Sequence, residues 1–290
     1  MTVAQALDEG ARRLSQSRPR SPRLDAEVLL AHVLESSRTL LYARSNAPLG
    51  ETALERYRSL LAFREQGIPV AYLIGWREFY SRRFEVTPEV LIPRPETETL
   101  VEVGLEALKK SGLTRPRVLD LGTGSGVLAV TLALEHAGAE VTAVEIEPDA
   151  AQVALRNCRL HRTEVEVKIG DLFAPVSGRF DLIVSNPPYV GLDCGPQPEP
   201  NVRQYEPFTA LFGGRTGLEI IERILSRAPE FLQEGGVLAL EVAPHQSEGV
   251  EAMMIERGLT RTRLVSDLSG LPRVVAGYWE ETGREDLGAR

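Results

Sequence analysis

From Arg117 onward the sequence alternates between strand-like and helix-like segments, and this alternation limits the possible folds more than any other feature. Seven short runs rich in Val, Ile and Leu predict strands, at Val118–Leu121, Glu140–Glu145, Val165–Ile169, Phe180–Ser185, Gly236–Val242, Thr260–Val265 and Val274–Trp279. Helical patterns lie between most of them, at Val127–Glu135, Pro148–Leu160, Gly217–Ala228 and Ser247–Arg257. This α/β pattern predicts a mostly parallel sheet that is covered by helices on both faces and ends in an antiparallel hairpin.

The first third of the chain has a different character. Apolar residues at helical spacing begin at Val3 and resume after Ser21, and a third helical stretch covers Glu51–Glu65. From Trp76 to Ile92 aromatic and β-branched residues predict a short hairpin. We therefore expect a small helical bundle over 1–75, a β-hairpin linker over 76–93 and the α/β domain over 94–290.

Composition and charge limit the classes of protein to which this chain can belong. The 290 residues are 43% hydrophobic with a net charge of −8, which suits a soluble protein and disfavours stable nucleic-acid binding. No run of about 20 apolar residues suggests a membrane span. Cys158 and Cys194 are isolated, so neither a zinc site nor a disulfide is indicated. We expect a cytoplasmic monomer without a metal ion.

A glycine-rich loop follows the first predicted strand and opens the first helix of the α/β region. It runs through Asp120, Gly122, Thr123, Gly124, Ser125 and Gly126. Glycines let the backbone approach a ligand closely, and N–H groups at a helix start favour an anionic group. Val127 stands where the third glycine of a dinucleotide fingerprint would be, which argues against NAD.

Acidic residues end the next two predicted strands. Glu145 can accept hydrogen bonds from both hydroxyls of a ribose, and Asp171 with Leu172 can flank an adenine. Each residue alone is equally well explained as a strand end, turn or core position. Because parallel strands end at one edge of a sheet, the set together with the glycine-rich loop indicates S-adenosylmethionine.

The tetrapeptide Asn186-Pro187-Pro188-Tyr189 directly follows the strand-like run Phe180–Ser185. The prolines fix φ and push Asn186 into an extended conformation, which predicts a stiff corner at the strand end. There the Asn186 side-chain oxygen and the Pro187 carbonyl can converge as acceptors for an NH2 group, with Tyr189 packed on its flat face. Asn186, Pro187 and Tyr189 are therefore candidate catalytic residues of a methyltransferase for a planar nitrogen. A structural proline-rich loop is the alternative.

Several motifs together resemble the release-factor glutamine methyltransferase (HemK/PrmC) family. They are D-L-G-T-G-S-G, Glu145, Gly170-Asp171, N-P-P-Y, the segment L-I-P-R-P-E-T-E over 91–98, P-V-A-Y-L-I-G over 69–75, Tyr205-Glu206-Pro207, and A-L-F-G-G over 210–214. N-P-P-Y is shared with adenine and cytosine amino-methyltransferases, whereas I-P-R-P-E-T-E is far more specific. The resemblance covers most of residues 69–242.

The resemblance implies an activity and a separate role for each of the two domains. A seven-stranded, Rossmann-like class I methyltransferase domain would move a methyl group from S-adenosylmethionine to the glutamine side-chain amide of the Gly-Gly-Gln loop in class 1 peptide-chain release factors, leaving S-adenosylhomocysteine. The N-terminal helical domain would help to hold the protein substrate. Arg94, Glu96, Glu206 and Pro188 would lie on the substrate side. Leu172 departs from the bulkier residue usual in the family.

Three alternatives remain open on the sequence. A glutamine methyltransferase for a ribosomal protein would share N-P-P-Y but differ in I-P-R-P-E-T-E. An adenine-N6 methyltransferase would flip a base into the same corner, and predicts a basic face and a target-recognition domain that are not evident here. A silent S-adenosylmethionine-binding module that only docks on release factors is disfavoured, because both halves of the site are present.

Overall fold

The computed structural model describes residues 1–16 and 21–280 of the chain. Residues 17–20 and 281–290, which belong to the predicted helical and α/β domains, lie outside the described residues. The chain divides into two compact units. The smaller unit comprises 1–76, 86–88 and 199–205, and the larger comprises 77–85, 89–198 and 206–290.

The smaller unit is helical. Its helices are α1 (Val3–Gln16), α2 (Pro22–Val33), α3 (Arg38–Ala43), α4 (Glu51–Glu65) and α5 (Val70–Ile74), joined by α9 (Pro200–Tyr205) from much later in the chain. Leu7, Leu29 and Leu61 are among the fully buried side chains of its core. The Tyr205 hydroxyl donates to the backbone carbonyl of Gln66 at 2.7 Å, which ties α9 to the end of α4.

Strands β1 (Trp76–Phe79) and β2 (Arg82–Glu85) form a two-stranded sheet, and nearly all of this hairpin belongs to the larger unit. The remaining strands of that unit are β3 (Arg117–Leu121), β4 (Glu140–Glu145), β5 (Glu166–Ile169), β6 (Phe180–Ser185), β7 (Leu232–Glu241), β8 (Leu259–Ser266) and β9 (Pro272–Trp279). Its helices are α6 (Glu98–Ser111), α7 (Val127–Glu135), α8 (Pro148–His161), α10 (Phe208–Leu211), α11 (Glu219–Phe231) and α12 (Ser247–Glu256).

The seven strands β3 to β9 form one sheet in the order β5-β4-β3-β6-β7-β9-β8. The first five of this order are parallel, and β9 pairs antiparallel with both β7 and β8. The predicted sheet and its terminal hairpin are therefore confirmed. The chain reverses its direction of winding between β3 and β6, and open α/β sheets bind ligands outside the carboxyl ends of the strands at such a point.

The sheet separates two apolar cores. Because side chains alternate between the two faces along each strand, the central strands contribute residues to both cores. Leu182 and Val184 of β6 belong to the core on the side of α6 and α7, whereas Ile183 between them belongs to the core on the side of α11 and α12. Central parallel strands must be apolar on both faces, since helices cover both. These two cores hold the carboxyl ends of the strands in fixed positions.

Five helices were not among those expected from the apolar pattern. They are α3, α5, α6, α9 and α10. All of them except α6 have only four to six residues, which is too short for a helical repeat to be recognised. Strand β7 begins at Leu232, four residues before the predicted start, because Gln233, Glu234 and Gly235 extend it with exposed residues that carry no apolar signal.

Candidate active site

The carboxyl ends of β3, β4, β5 and β6 surround a cavity of about 300 Å³. Of the predicted site residues, Gly122, Thr123, Gly124, Ser125, Glu145, Asp171, Leu172, Asn186, Pro188 and Arg94 line it. Residues that sequence did not single out for the site, among them Thr97, Phe208 and Arg223, line it too. The fold thus brings the glycine-rich loop and the N-P-P-Y corner, more than 60 residues apart in sequence, to one cavity.

The glycine-rich loop needs glycine at particular positions. Gly122, Gly124 and Gly126 have φ values of 71°, 55° and 82°, a region that favours glycine. A Cβ on Gly126 would also lie 3.3 Å from the backbone of Ala154 in α8. The N–H groups of Gly122 and Thr123 donate to the Val144 carbonyl at 2.8 and 3.0 Å, so the loop is anchored to the neighbouring strand.

Asp120 is fully buried at the end of β3 and supports the loop from behind. Its carboxylate accepts hydrogen bonds from Thr123 Oγ1 at 2.6 Å and from the Ala129 N–H at 3.2 Å. Burial raises the pKa of Asp120 to about 7, although these two hydrogen bonds lower it. Asp120, which was predicted to bind the cofactor, lies outside the described cavity lining and contacts the loop through the Thr123 hydroxyl.

Asn157 supports the same loop from α8. Its side chain donates to the carbonyls of Ser125 and Glu85 at 2.8 and 2.9 Å, and accepts from the Glu85 N–H at 2.7 Å. The residue is completely buried. A polar residue on the apolar face of α8 was the available sequence signal for this role, because a buried amide must have hydrogen-bond partners.

Glu145 ends β4 with only 7% of its surface exposed. One carboxylate oxygen accepts from the Gly124 N–H at 2.8 Å, and the other accepts from the N–H groups of Ile146 and Glu147 at 2.9 and 3.1 Å. Burial raises the pKa of Glu145, and these backbone donors oppose that effect. A carboxylate has about four lone-pair sites, so acceptor capacity for a diol remains.

Asp171 and Leu172 follow β5 and line the same cavity. The Asp171 carboxylate pairs with Arg223 of α11 at 2.5 Å, and both side chains are about half exposed. Leu172 has a φ of 48°, an unusual value for leucine, and its side chain packs against the core shared by α11 and α12. Arg223 gave no sequence signal, because its position in α11 is that of an ordinary exposed residue.

The N-P-P-Y corner is fixed by close backbone contacts. A Cβ on Gly213 would lie 2.2 Å from the Pro188 carbonyl oxygen, and one on Gly217 would lie 2.3 Å from that of Tyr189. Gln246 Nε2 donates to the same Tyr189 oxygen at 3.0 Å. The two glycines are therefore required because the corner approaches their backbone directly.

Tyr189 differs from expectation. Its side chain packs against the core beside α11 and α12, its hydroxyl lies 3.5 Å from Glu241 Oε1, and burial raises its pKa. It lies outside the described cavity lining, as does the buried Pro187. Packing of the ring on a substrate amide is thus not supported by this geometry, because the chain turns Tyr189 towards the sheet.

Arg94 and Glu206 form a pair at the cavity. Arg94 Nη2 lies 2.5 Å from Glu206 Oε1, and the other Glu206 oxygen accepts from the Ile92 N–H at 3.1 Å. The Glu206 side chain is only 1% exposed. Both of its oxygens have partners within the protein, and Glu206 lies outside the described cavity lining. Glu96 is half-buried and lies outside the described lining.

Another buried carboxyl, Glu241 at the end of β7, is only 1% exposed. Burial raises its pKa to about 7, opposed by the interaction with the Thr97 hydroxyl and by the charge of Arg273, and its Oε2 has no hydrogen-bond partner among the described residues. Asn186 Nδ2 donates to Thr97 Oγ1 at 3.2 Å. Thr97 therefore links a buried carboxyl to the N-P-P-Y corner. Thr97 belongs to the I-P-R-P-E-T-E motif, but the sequence did not show that its side chain would be buried.

The raised pKa of Glu241 gives a testable pH dependence of stability. Its pKa in the folded protein is about 7 against an ordinary 4.5, so its contribution to stability is complete below pH 4.5 and is lost as pH rises through 7. Glu241→Gln removes this titration. Between pH 5 and pH 8, we expect the unfolding free energy of the variant to rise by about 2–3 kcal/mol relative to that of the parent.

Urea unfolding of both proteins at several pH values measures this difference. Glu234→Gln, at an exposed position of the same strand, is the matched control and should show no such trend. Parallel curves for Glu241→Gln and the parent would show that Glu241 titrates normally.

The fold and the composition of the cavity define the class, a Rossmann-like methyltransferase whose methyl donor is S-adenosylmethionine. A family model described as the PrmC N-terminal domain matches residues 5–75, and a methyltransferase small domain matches 98–193. The release factor glutamine methyltransferase of Koribacter versatilis is 42% identical over 96% of this chain and 98% of its own. The chain belongs to the release factor glutamine methyltransferase family.

Two further comparisons agree. The release factor glutamine methyltransferase of Salmonella typhimurium is 40% identical over 89% of this chain and 92% of its own. A methyltransferase structure from Pyrococcus furiosus shares the fold with a TM-score of 0.52 at 19% identity, over 77% of this chain and 98% of that one. The predicted family, fold class and cofactor are thereby confirmed.

Within the part of the chain that the structure describes, no group of three or more metal-ligating side chains is present. Over the same residues, no helix has the length and apolar character needed to cross a membrane.

Proposed function

We propose that this enzyme methylates the side-chain amide nitrogen of the glutamine in the Gly-Gly-Gln motif of class 1 peptide-chain release factors. One observation carries the proposal. Asn186, whose side chain is held through its NH2 group by Thr97, lines the same cavity as the glycine-rich loop and Glu145. The acceptor for a planar amide and the residues suited to a nucleoside methyl donor thus share one enclosed space.

The cavity suits S-adenosylmethionine, which when bound supplies an electrophilic methyl group on a sulfonium. Glu145 offers carboxylate oxygens to the ribose hydroxyls, and Asp171 with Leu172 offers a polar and an apolar contact to the adenine. Gly122 and Gly124, where added side chains would meet only open space, leave room for the donor to approach the backbone.

An amide nitrogen is a poor nucleophile because its lone pair is delocalised into the carbonyl. Oδ1 of Asn186, a residue that lines the cavity, is proposed to accept a hydrogen bond from one N–H of the amide. The Pro187 carbonyl, although Pro187 lies outside the described lining, is proposed to accept from the other, so that the lone pair turns towards the methyl group. Orientation of this kind can supply about 7–11 kcal/mol of a barrier in the best intramolecular cases, so no covalent enzyme intermediate is required. The proton leaves to water after transfer.

The helical domain over 1–75 is proposed to dock the release factor. Support comes from the family-model match to the PrmC N-terminal domain and from the separate core of this unit. Contacts distant from the reacting atoms can be used to orient a substrate. We also propose that the enzyme is a cytoplasmic monomer without a stable nucleic-acid partner, which light scattering with and without RNA would test.

Methyl transfer to a purified release factor tests the proposed activity. We expect one added methyl group on the Gly-Gly-Gln glutamine, identified by mass spectrometry of the digested product. A Gly-Gly-Gln peptide should be a much poorer substrate than the whole factor if the helical domain docks it. Methylation of a ribosomal protein or of adenine in DNA instead would overturn the proposal, and absence of any transfer would favour a silent binding module.

A further inference from the structure

A short chain of buried polar groups runs from the end of β7 to the N-P-P-Y corner. Glu241 and Thr97 are 1% and 2% exposed, the Thr97 hydroxyl interacts with the Glu241 carboxyl, and Glu241 Oε2 has no hydrogen-bond partner among the described residues. Thr97 Oγ1 in turn accepts from Asn186 Nδ2 at 3.2 Å. Of these three residues, Thr97 and Asn186 line the cavity, whereas Glu241 lies behind it.

The chemistry of these groups gives the chain a direction. An ionised carboxylate only accepts hydrogen bonds, and a threonine hydroxyl has one proton to donate. When Thr97 gives that proton to Glu241, only its lone pairs remain for Asn186. The Asn186 side chain must then turn its NH2 group towards Thr97, which leaves Oδ1 free to accept from a substrate amide.

This direction requires the ionised carboxyl, which is the main form of Glu241 above its pKa of about 7. Burial and Glu96 oppose ionisation, Arg273 favours it, and the Tyr189 hydroxyl lies 3.5 Å from Oε1. Arg273 is itself held by Asp267, with two contacts of 3.2 and 3.3 Å. The Glu241 carboxyl is therefore surrounded by Thr97, Tyr189 and Arg273, and its buried Oε2, which has no hydrogen-bond partner among the described residues, is the acceptor that a proton from Thr97 would satisfy.

We propose that Thr97 and Glu241 are positioning residues that fix the side-chain amide of Asn186 with its oxygen directed at the substrate. Without this relay the amide can rotate and present NH2 to the NH2 group of the substrate, which repels it. This inference rests on the proposed methylation of an amide nitrogen. It assigns to the threonine of I-P-R-P-E-T-E a role in orienting the catalytic asparagine, whereas the arginine of that segment pairs with Glu206.

Thr97→Val tests the relay because it keeps the shape and removes the hydroxyl. With a release factor as substrate and saturating cofactor, we expect kcat to fall roughly tenfold, as for the loss of one hydrogen bond, while the cofactor Kd stays the same. Thr97→Ser should restore most of the rate. Thr131→Val is the matched control, since Thr131 is fully buried in α7 and its hydroxyl has no partner among the described residues.

A double variant separates positioning from a general structural role. In an Asn186→Ala background the relay has nothing to orient, so adding Thr97→Val should cause no further loss of rate. Full additivity of the two losses, or a kcat for Thr97→Val equal to that of the Thr131→Val control, would overturn the relay.

A measurement without substrate keeps this test distinct from that of the proposed function. In protein labelled with ¹⁵N-asparagine, the side-chain NH2 signal of Asn186 is assigned by its absence in Asn186→Ala. Thr97→Val should shift this signal and speed its exchange with water, whereas Thr131→Val should not. An unchanged signal in Thr97→Val would overturn the relay whether or not the parent methylates a release factor.

Discussion

Replacing Asn186 by alanine is expected to reduce the rate of methyl transfer about 10²–10³-fold, by analogy with the loss of one preorganised donor in an oxyanion hole. The change deletes one of two acceptors proposed for the substrate amide. The glycine-rich loop, Glu145 and Asp171 remain, so affinity for S-adenosylmethionine should change little. Single-turnover methylation of a release factor, measured beside calorimetry of cofactor binding, gives both quantities.

Asn186→Asp is a harsher test of the same residue. It keeps acceptor oxygens but introduces an anion next to the positive charge of the methyl donor, which favours the ground state over a transition state where that charge is dispersed. Its second oxygen also cannot donate to Thr97. We expect cofactor affinity at least equal to that of the parent and slow turnover. Near-parental chemistry in Asn186→Ala would leave the corner with a structural role only.

The second large effect is expected at Glu145. Glu145→Ala should weaken binding of S-adenosylmethionine, since loss of a charged hydrogen-bond partner typically costs about 1.5–3 kcal/mol, or roughly 10–150-fold in Kd. Two causes act together, because the carboxylate both faces the cavity and accepts the Gly124 N–H at 2.8 Å. The glycine-rich loop therefore loses an anchor when the ribose acceptor is lost.

Calorimetry of the folded variant measures this loss. Glu140→Ala is the matched control, because it removes a glutamate from the exposed beginning of the same strand, where Glu140 pairs with Arg115 on the surface. Glu145→Gln should fall between the two, since it keeps one acceptor oxygen but turns an NH2 group towards backbone donors. Parental affinity in Glu145→Ala would remove Glu145 from the cofactor site.

Much of the site was readable because parallel strands end at one edge of their sheet. Glu145 ends a strand that the apolar pattern identified, and Gly122, Gly124, Asp171 and Asn186 each follow one. Their convergence could therefore be expected from the sequence. The residues that support them could not be found in this way. Asn157 and Gln246 act through contacts with segments distant in sequence, and no local pattern records such partners.

The sequence by itself determined the α/β class, the mostly parallel sheet with its antiparallel hairpin, and the family. These depend on periodicity and on local motifs, which neighbouring residues encode. Only the tertiary structure decided the direction in which individual side chains point. It turned Tyr189 towards Glu241 rather than the cavity, engaged Glu206 with Arg94 and Ile92, and joined Thr97 to Asn186. Such contacts arise because a hydrogen-bond partner stabilises a buried polar group, and the packing of the elements decides which residues lie near enough to supply one.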